Sequence, residues 1–98
     1  MSDLQSGVWH TYDMQRFADR MVSVLEAKRK LYGDSWRDMD PRDMLHRLEA
    51  ELGELMVAMN AYIEFGMASP DDIMDECVDV ANVALFLYNM FAGGVSYE

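Results

Sequence analysis

The run DECVDVANVALFLYNMF, residues 75–91, constrains the fold more than any other stretch of the chain. From Cys77 onward it is apolar nearly all round, and a helix of that kind has to be buried on more than one side. It is too short to span a bilayer, which takes about 20 apolar residues, and Asp79 interrupts it. A carboxylate on so apolar a helix is expensive to bury without compensation. The fold must therefore supply both a cover for this helix and a partner for Asp79.

Ninety-eight residues make one small domain, 1–98, with its core expected over about 12–92. A chain of this size buries only about two thirds of its unfolded surface. Yet 51% of the residues are apolar, so self-association as a homodimer or homotetramer is expected. Eight basic against 18 acidic residues leave a net charge of −10, which repels nucleic-acid phosphates and argues against a nucleic-acid partner. The same acidity is a solvated surface, clustered cation-binding carboxylates, or both. Cys77 is the single cysteine, so an intrachain disulfide and a cysteine metal cluster are excluded. The first residues lack the basic-then-apolar pattern of a signal peptide, and a cytoplasmic protein without a membrane partner is expected. Ten methionines suit irregular gaps in a core or interface.

The two prolines both open helices. Asp40 stands at an N-cap before Pro41, and Ser69 before Pro70, with Asp71 and Asp72 in the following turn. Gly66 should end the middle helix and Gly93–Gly94 the last, giving lengths of about 25 and 22 residues. An earlier helix is expected over Tyr12–Tyr32, stopped by Gly33, with Phe17, Met21 and Leu25 at helical spacing. Residues 1–9 and 95–98 read as tails. No stretch alternates like a half-buried strand. The fold class is all-α: three helices, with room for a short fourth, completed by dimerisation.

In the middle helix Leu45, Leu48, Leu52, Leu55, Met59 and Ile63 form one apolar stripe. At about 100° per residue, Glu51 and Glu54 fall on one flank of it, about 60° apart. Glu49, Asn60 and Glu64 fall on the water side. In the last helix Glu76 and Asp79 are spaced the same way, i and i+3, on one face. Antiparallel packing would bring the four acids together. Like charges and desolvation then oppose ionisation, and a hard divalent cation, Mg²⁺ or Mn²⁺, resolves the conflict. One Glu-x-x-Glu alone is commonly just a solvated face; the second pair inside an apolar stretch is what argues for a site. No histidine accompanies the acids, which speaks against zinc or a Glu-x-x-His di-iron centre.

RLEAELGELMVAM followed by IMDECVDVANVALFLYNM resembles the all-α nucleoside triphosphate pyrophosphohydrolases. This superfamily includes MazG, the dCTP pyrophosphatases, the dimeric dUTPases and phosphoribosyl-ATP pyrophosphatase. The resemblance covers roughly residues 15–92 and rests on Glu-x-x-Glu, a gap, then Glu-x-x-Asp. It implies a MazG-like bundle of three to four helices. It also implies that Glu51, Glu54, Glu76 and Asp79 bind Mg²⁺, and that a nucleoside triphosphate is cleaved between its α- and β-phosphates. The products would be a nucleoside monophosphate and pyrophosphate, in house-cleaning or dNTP-pool control. Two departures qualify it: Ala50 stands where some members carry a further acid, and the chain is near the minimum length of the family.

The proton of the attacking water would pass to Glu51 or Glu54, the candidate catalytic residues. In KRKLYGDSWRDMDP, Lys30 and Arg37 are candidates for phosphate oxygens and Trp36 for stacking on a base, as an aromatic does in similar enzymes. Otherwise Trp36 packs on the bundle, and Lys28, Arg29 and Lys30 are solvated. Asn82 is a candidate for the sugar or base, or for a polar contact across a dimer. Two alternatives stand beside the enzyme: a non-catalytic helical dimer that binds a nucleotide or protein, and a phosphoribosyl-ATP pyrophosphatase-like enzyme. The flanks of the acids look closer to the MazG and dUTPase groups than to the latter.

Overall fold

A computed structural model describes residues 7–33 and 38–96. It is all-helical: α1 (Gly7–Tyr32), α2 (Pro41–Asn60) running directly into a π-helical turn (Ala61–Phe65), and α3 (Pro70–Ser96). Among the described residues there is no strand, and no helix is long and apolar enough to cross a membrane.

The helix starts follow from local chemistry. The Asp40 carboxylate accepts the N–H of Arg42 at 2.8 Å, and Pro41 fills the first turn, where a missing N–H costs nothing. Before α3, Ser69 Oγ accepts the Asp72 N–H at 3.1 Å, and Asp72 Oδ2 accepts the Ser69 N–H at 3.3 Å. This is a reciprocal capping box with aspartate in place of glutamate. Gly66 closes the middle segment in the left-handed conformation, φ 62°. Its N–H reaches Tyr62 O, and the next N–H, of Met67, reaches Ala61 O. Gly33, φ 66°, closes α1 in the same region.

Three expectations change. The helical segment 41–65 has the expected length, but its last five residues are π-helical. Gly93–Gly94 do not end the last helix, which runs through them to Ser96. A helical glycine costs about 1 kcal/mol, whereas only proline costs enough to stop a helix outright. The expected tails shorten likewise: α1 begins at Gly7 rather than Tyr12, and residues 95–96 are helical.

α3 is the central helix. α2 lies antiparallel along one side of it, and α1 crosses another. Arg20 of α1 pairs with Asp75 at 2.6 Å, and the Asn82 amide donates to the Met21 carbonyl at 3.4 Å. The apolar core so made is small. Met44 is fully buried, and Val78 and Val83 nearly so. The α2 stripe is split by this packing. Leu48 and Leu55 are half-buried, while Leu45, Leu52, Met59 and Ile63 are exposed.

Candidate metal centre

α2 and α3 run antiparallel with their acidic flanks on the same side. Glu51, Glu76 and Asp79 each offer a carboxylate oxygen, and these oxygens lie within 4.8 Å of one another. Each residue is half-buried. Glu51 Oε1 and Glu76 Oε1 are shielded from solvent, and among the described residues neither accepts a hydrogen bond. Burial is the leading reason that both glutamates are pushed above the ordinary carboxylate value of 4.5. The charges of Glu54 and Asp79 push both further, and Glu51 and Asp75 add to the effect on Glu76. Lys28 and Arg47 oppose the rise at Glu51 only in part.

Glu54 stands apart from this trio. It is exposed and is no member of the close group, although its charge reaches both glutamates. With Glu76 it borders a shallow cleft of about 660 Å³ between α2 and the start of α3. The floor of that cleft is made of small residues, Ala50, Gly53, Ala58 and Ala61. A larger cleft of about 910 Å³, between α1 and the first half of α3, has none of the four acids in its lining. Its Arg16 and Arg20 are already paired with Asp13 and Asp75. It therefore opens on a face of α3 that the four acids do not line.

The other expected site residues are placed as follows. Asn82 is 4% exposed and donates its amide to the Met21 carbonyl, which ties α3 to α1. Its Oδ1 has no partner. Lys30 is exposed, and among the described residues no ion pair joins it to the acids. Trp36 and Arg37 lie outside the described residues. Lys28, solvated in the alternative reading, is exposed, and its Nζ lies 4.0 Å from Asp79 Oδ1. The signal for it was positional. Lys28 continues the α1 stripe of Met21 and Leu25 at i+7 and i+3, so a basic residue sits on the face that packs.

The donor set suits a hard cation: carboxylate oxygens only, two of them stripped of water and unpaired, with cysteine and histidine absent from the trio. Neither a family model nor a curated protein nor a solved structure matches the chain.

Proposed function

We propose that the chain is a Mg²⁺-dependent nucleoside triphosphate pyrophosphohydrolase of the MazG-like, all-α kind. The observation that supports this best is the convergence of Glu51, Glu76 and Asp79 from two antiparallel helices, with two shielded oxygens that no donor satisfies. Such a cluster is unfavourable for the chain alone and favourable around a divalent cation. Glu51, Glu76 and Asp79 would hold the ion directly, with Glu54 next to them at the rim. Once bound, Mg²⁺ neutralises phosphate charge and fixes the triphosphate against otherwise repelling acids.

The reaction adds one water across the α–β P–O–P bridge. The water oxygen bonds to phosphorus, the bridging P–O bond breaks, and the water's proton leaves through a carboxylate. Glu54 fits that last role best. It is the one acid of the four outside the close trio, and it is exposed beside the 660 Å³ cleft where a triphosphate has room. Mn²⁺ would substitute for Mg²⁺.

The active form would be a homo-oligomer. Leu45, Leu52, Met56, Met59 and Ile63 are exposed on the α2 flank turned away from the acids, and Phe91 is exposed on α3. Ile63 and Phe91 alone are 66% and 60% exposed. Together the six leave roughly 600 Å² of apolar surface open, taking ~200 Å² for a large side chain. That is close to the ~800 Å² per partner of a stable interface, and a second copy is the proposed cover.

The test is pyrophosphate release from a panel of ribo- and deoxyribonucleoside triphosphates, with Mg²⁺ and with EDTA. Release that needs Mg²⁺ supports the reading and identifies the base and sugar. A folded protein that releases none from the panel sinks it, and phosphoribosyl-ATP is then the next substrate to try.

A further inference from the structure

Lys28 was not among the side chains expected at the site. α1 nevertheless brings its ammonium to 4.0 Å from Asp79 Oδ1 on α3. The same charge acts on Glu51, so it faces two of the three converging acids. It is the one basic residue ion-paired to the trio among the described residues. Arg47, which also acts on Glu51, comes from α2 itself and makes no ion pair with the trio. The contact is loose: the Lys28 side chain is 45% exposed, and 4.0 Å is too long for a hydrogen bond. A compact ammonium on a flexible four-carbon stem can leave such a contact at little cost.

The geometry points to Lys28 as a two-position residue. It is the counter-ion of the acidic trio when no divalent cation is bound. When one is bound, it is the basic group that turns to the di- or triphosphate of the ligand. This rests on the proposed cation site and adds to it a residue and an order of events.

A cation entering the trio takes the position that Lys28 compensates, and the two positive charges then repel at a distance of several ångströms. Asp79 no longer holds the ammonium, because its charge is engaged by the ion. The nearest unpaired negative charge becomes the phosphate chain that the same ion holds. Lys28 thus opposes the cation and favours the anion. A lysine with a purely structural role would weaken both when removed, through loss of packing between α1 and the hairpin.

The experiment is calorimetric titration of the full-length chain with Mn²⁺, then of the Mn²⁺-loaded protein with imidodiphosphate, a non-hydrolysable stand-in for pyrophosphate. Lys28→Met keeps the apolar stem and removes the charge. It should bind Mn²⁺ about three- to ten-fold more tightly and imidodiphosphate about three- to ten-fold more weakly than wild type, as one surface-screened charge allows. Lys28→Arg should restore both affinities towards wild type. If wild type binds Mn²⁺ and Lys28→Met binds it equally or less well, the two-position role is wrong and the cation site stands. If tighter Mn²⁺ binding comes with unchanged imidodiphosphate binding, the role ends at counter-ion and the phosphate half is overturned. If wild type binds no Mn²⁺, the cation site fails and this inference fails with it. Far-ultraviolet circular dichroism of each variant separates these outcomes from misfolding.

Discussion

Asp79→Asn removes one negative charge from the trio and keeps the shape of the side chain. The oxygens involved lie within 4.8 Å of one another. Two unit charges at that distance repel by about 1 kcal/mol in a water-like dielectric and ~3.5 kcal/mol at an effective value of 20. All three residues are half-exposed, so the lower figure applies to each of the two contacts relieved. Against that gain stands the loss of the Lys28 pair at 4.0 Å, a partly exposed interaction of at most ~1 kcal/mol. The metal-free variant should therefore be more stable than wild type by about 1 kcal/mol. For a chain of this length that raises Tm by about 4–8 °C. In Mg²⁺ the order reverses. At a concentration of 100 times Kd the wild type gains ~2.7 kcal/mol from the bound ion, and the variant, lacking a ligand, gains little. Scanning calorimetry in EDTA and in Mg²⁺ reads both differences on the same samples, with pyrophosphate release alongside. The reasoning fails if Asp79→Asn melts below wild type in EDTA while keeping its helix content. It fails equally if the variant retains the full stabilisation by Mg²⁺ or full turnover.

Three further outcomes follow from the same geometry. Glu51 and Glu76 are raised in the folded state, so between 4.5 and their folded values the native chain holds more protons than the unfolded one. Metal-free stability should therefore fall as pH rises through that window, and Mn²⁺ affinity should rise over the same interval, both readable by melting and titration. Leu52→Glu places a charge in the open α2 face and should convert an oligomer to an 11.3 kDa monomer in light scattering, whereas Val57→Glu, on the cleft side of α2, should not; the opposite pattern would put the interface on the cleft side. Glu54→Gln should lower kcat by about 10²–10⁴-fold while changing Mn²⁺ affinity by less than about ten-fold, and equal losses in both would make Glu54 a ligand rather than the proton acceptor.

The features legible in the sequence are those decided within one or two turns. The caps at Asp40 and Ser69 and the left-handed glycines 33 and 66 depend on neighbours in the chain, and they appear as read. Glycines 93 and 94 impose a local cost that resembles a stop, but a helix already extended carries it. The acids were found by their spacing, but spacing gives a face and not a neighbour. About 60° of rotation separates Glu51 from Glu54, and that is enough to put one into the trio and leave the other at the rim. The α2 stripe shows the same limit. A wheel lists Leu45, Leu48, Leu52 and Leu55 as apolar without saying that only Leu48 and Leu55 become half-buried. Lys28 and Asn82 are legible only once α1 is known to cross α3, because their partners lie 51 and 61 residues away in the chain.

The acids of this chain are not equal in what they cost the fold. Glu49, Glu64, Asp71 and Asp72 are exposed and keep their water. Glu51 and Glu76 each give up the hydration of one oxygen, receive no donor in return, and face each other and Asp79. Glutamine at either position would keep the helix propensity and remove the repulsion, so folding alone favours the substitution that is absent. The hairpin brings the three oxygens together despite their repulsion, and a divalent cation would turn that cost into a gain. The closeness that makes the cluster unfavourable for the chain alone would spare an ion the work of gathering its ligands. On the proposed reading, stability and cation binding are opposed at these three residues, and the opposition can be measured without knowing the substrate. Removing an acid should stabilise the chain in EDTA and destabilise it relative to wild type in Mg²⁺. A surface carboxylate cluster with no ligand gives no such reversal of sign.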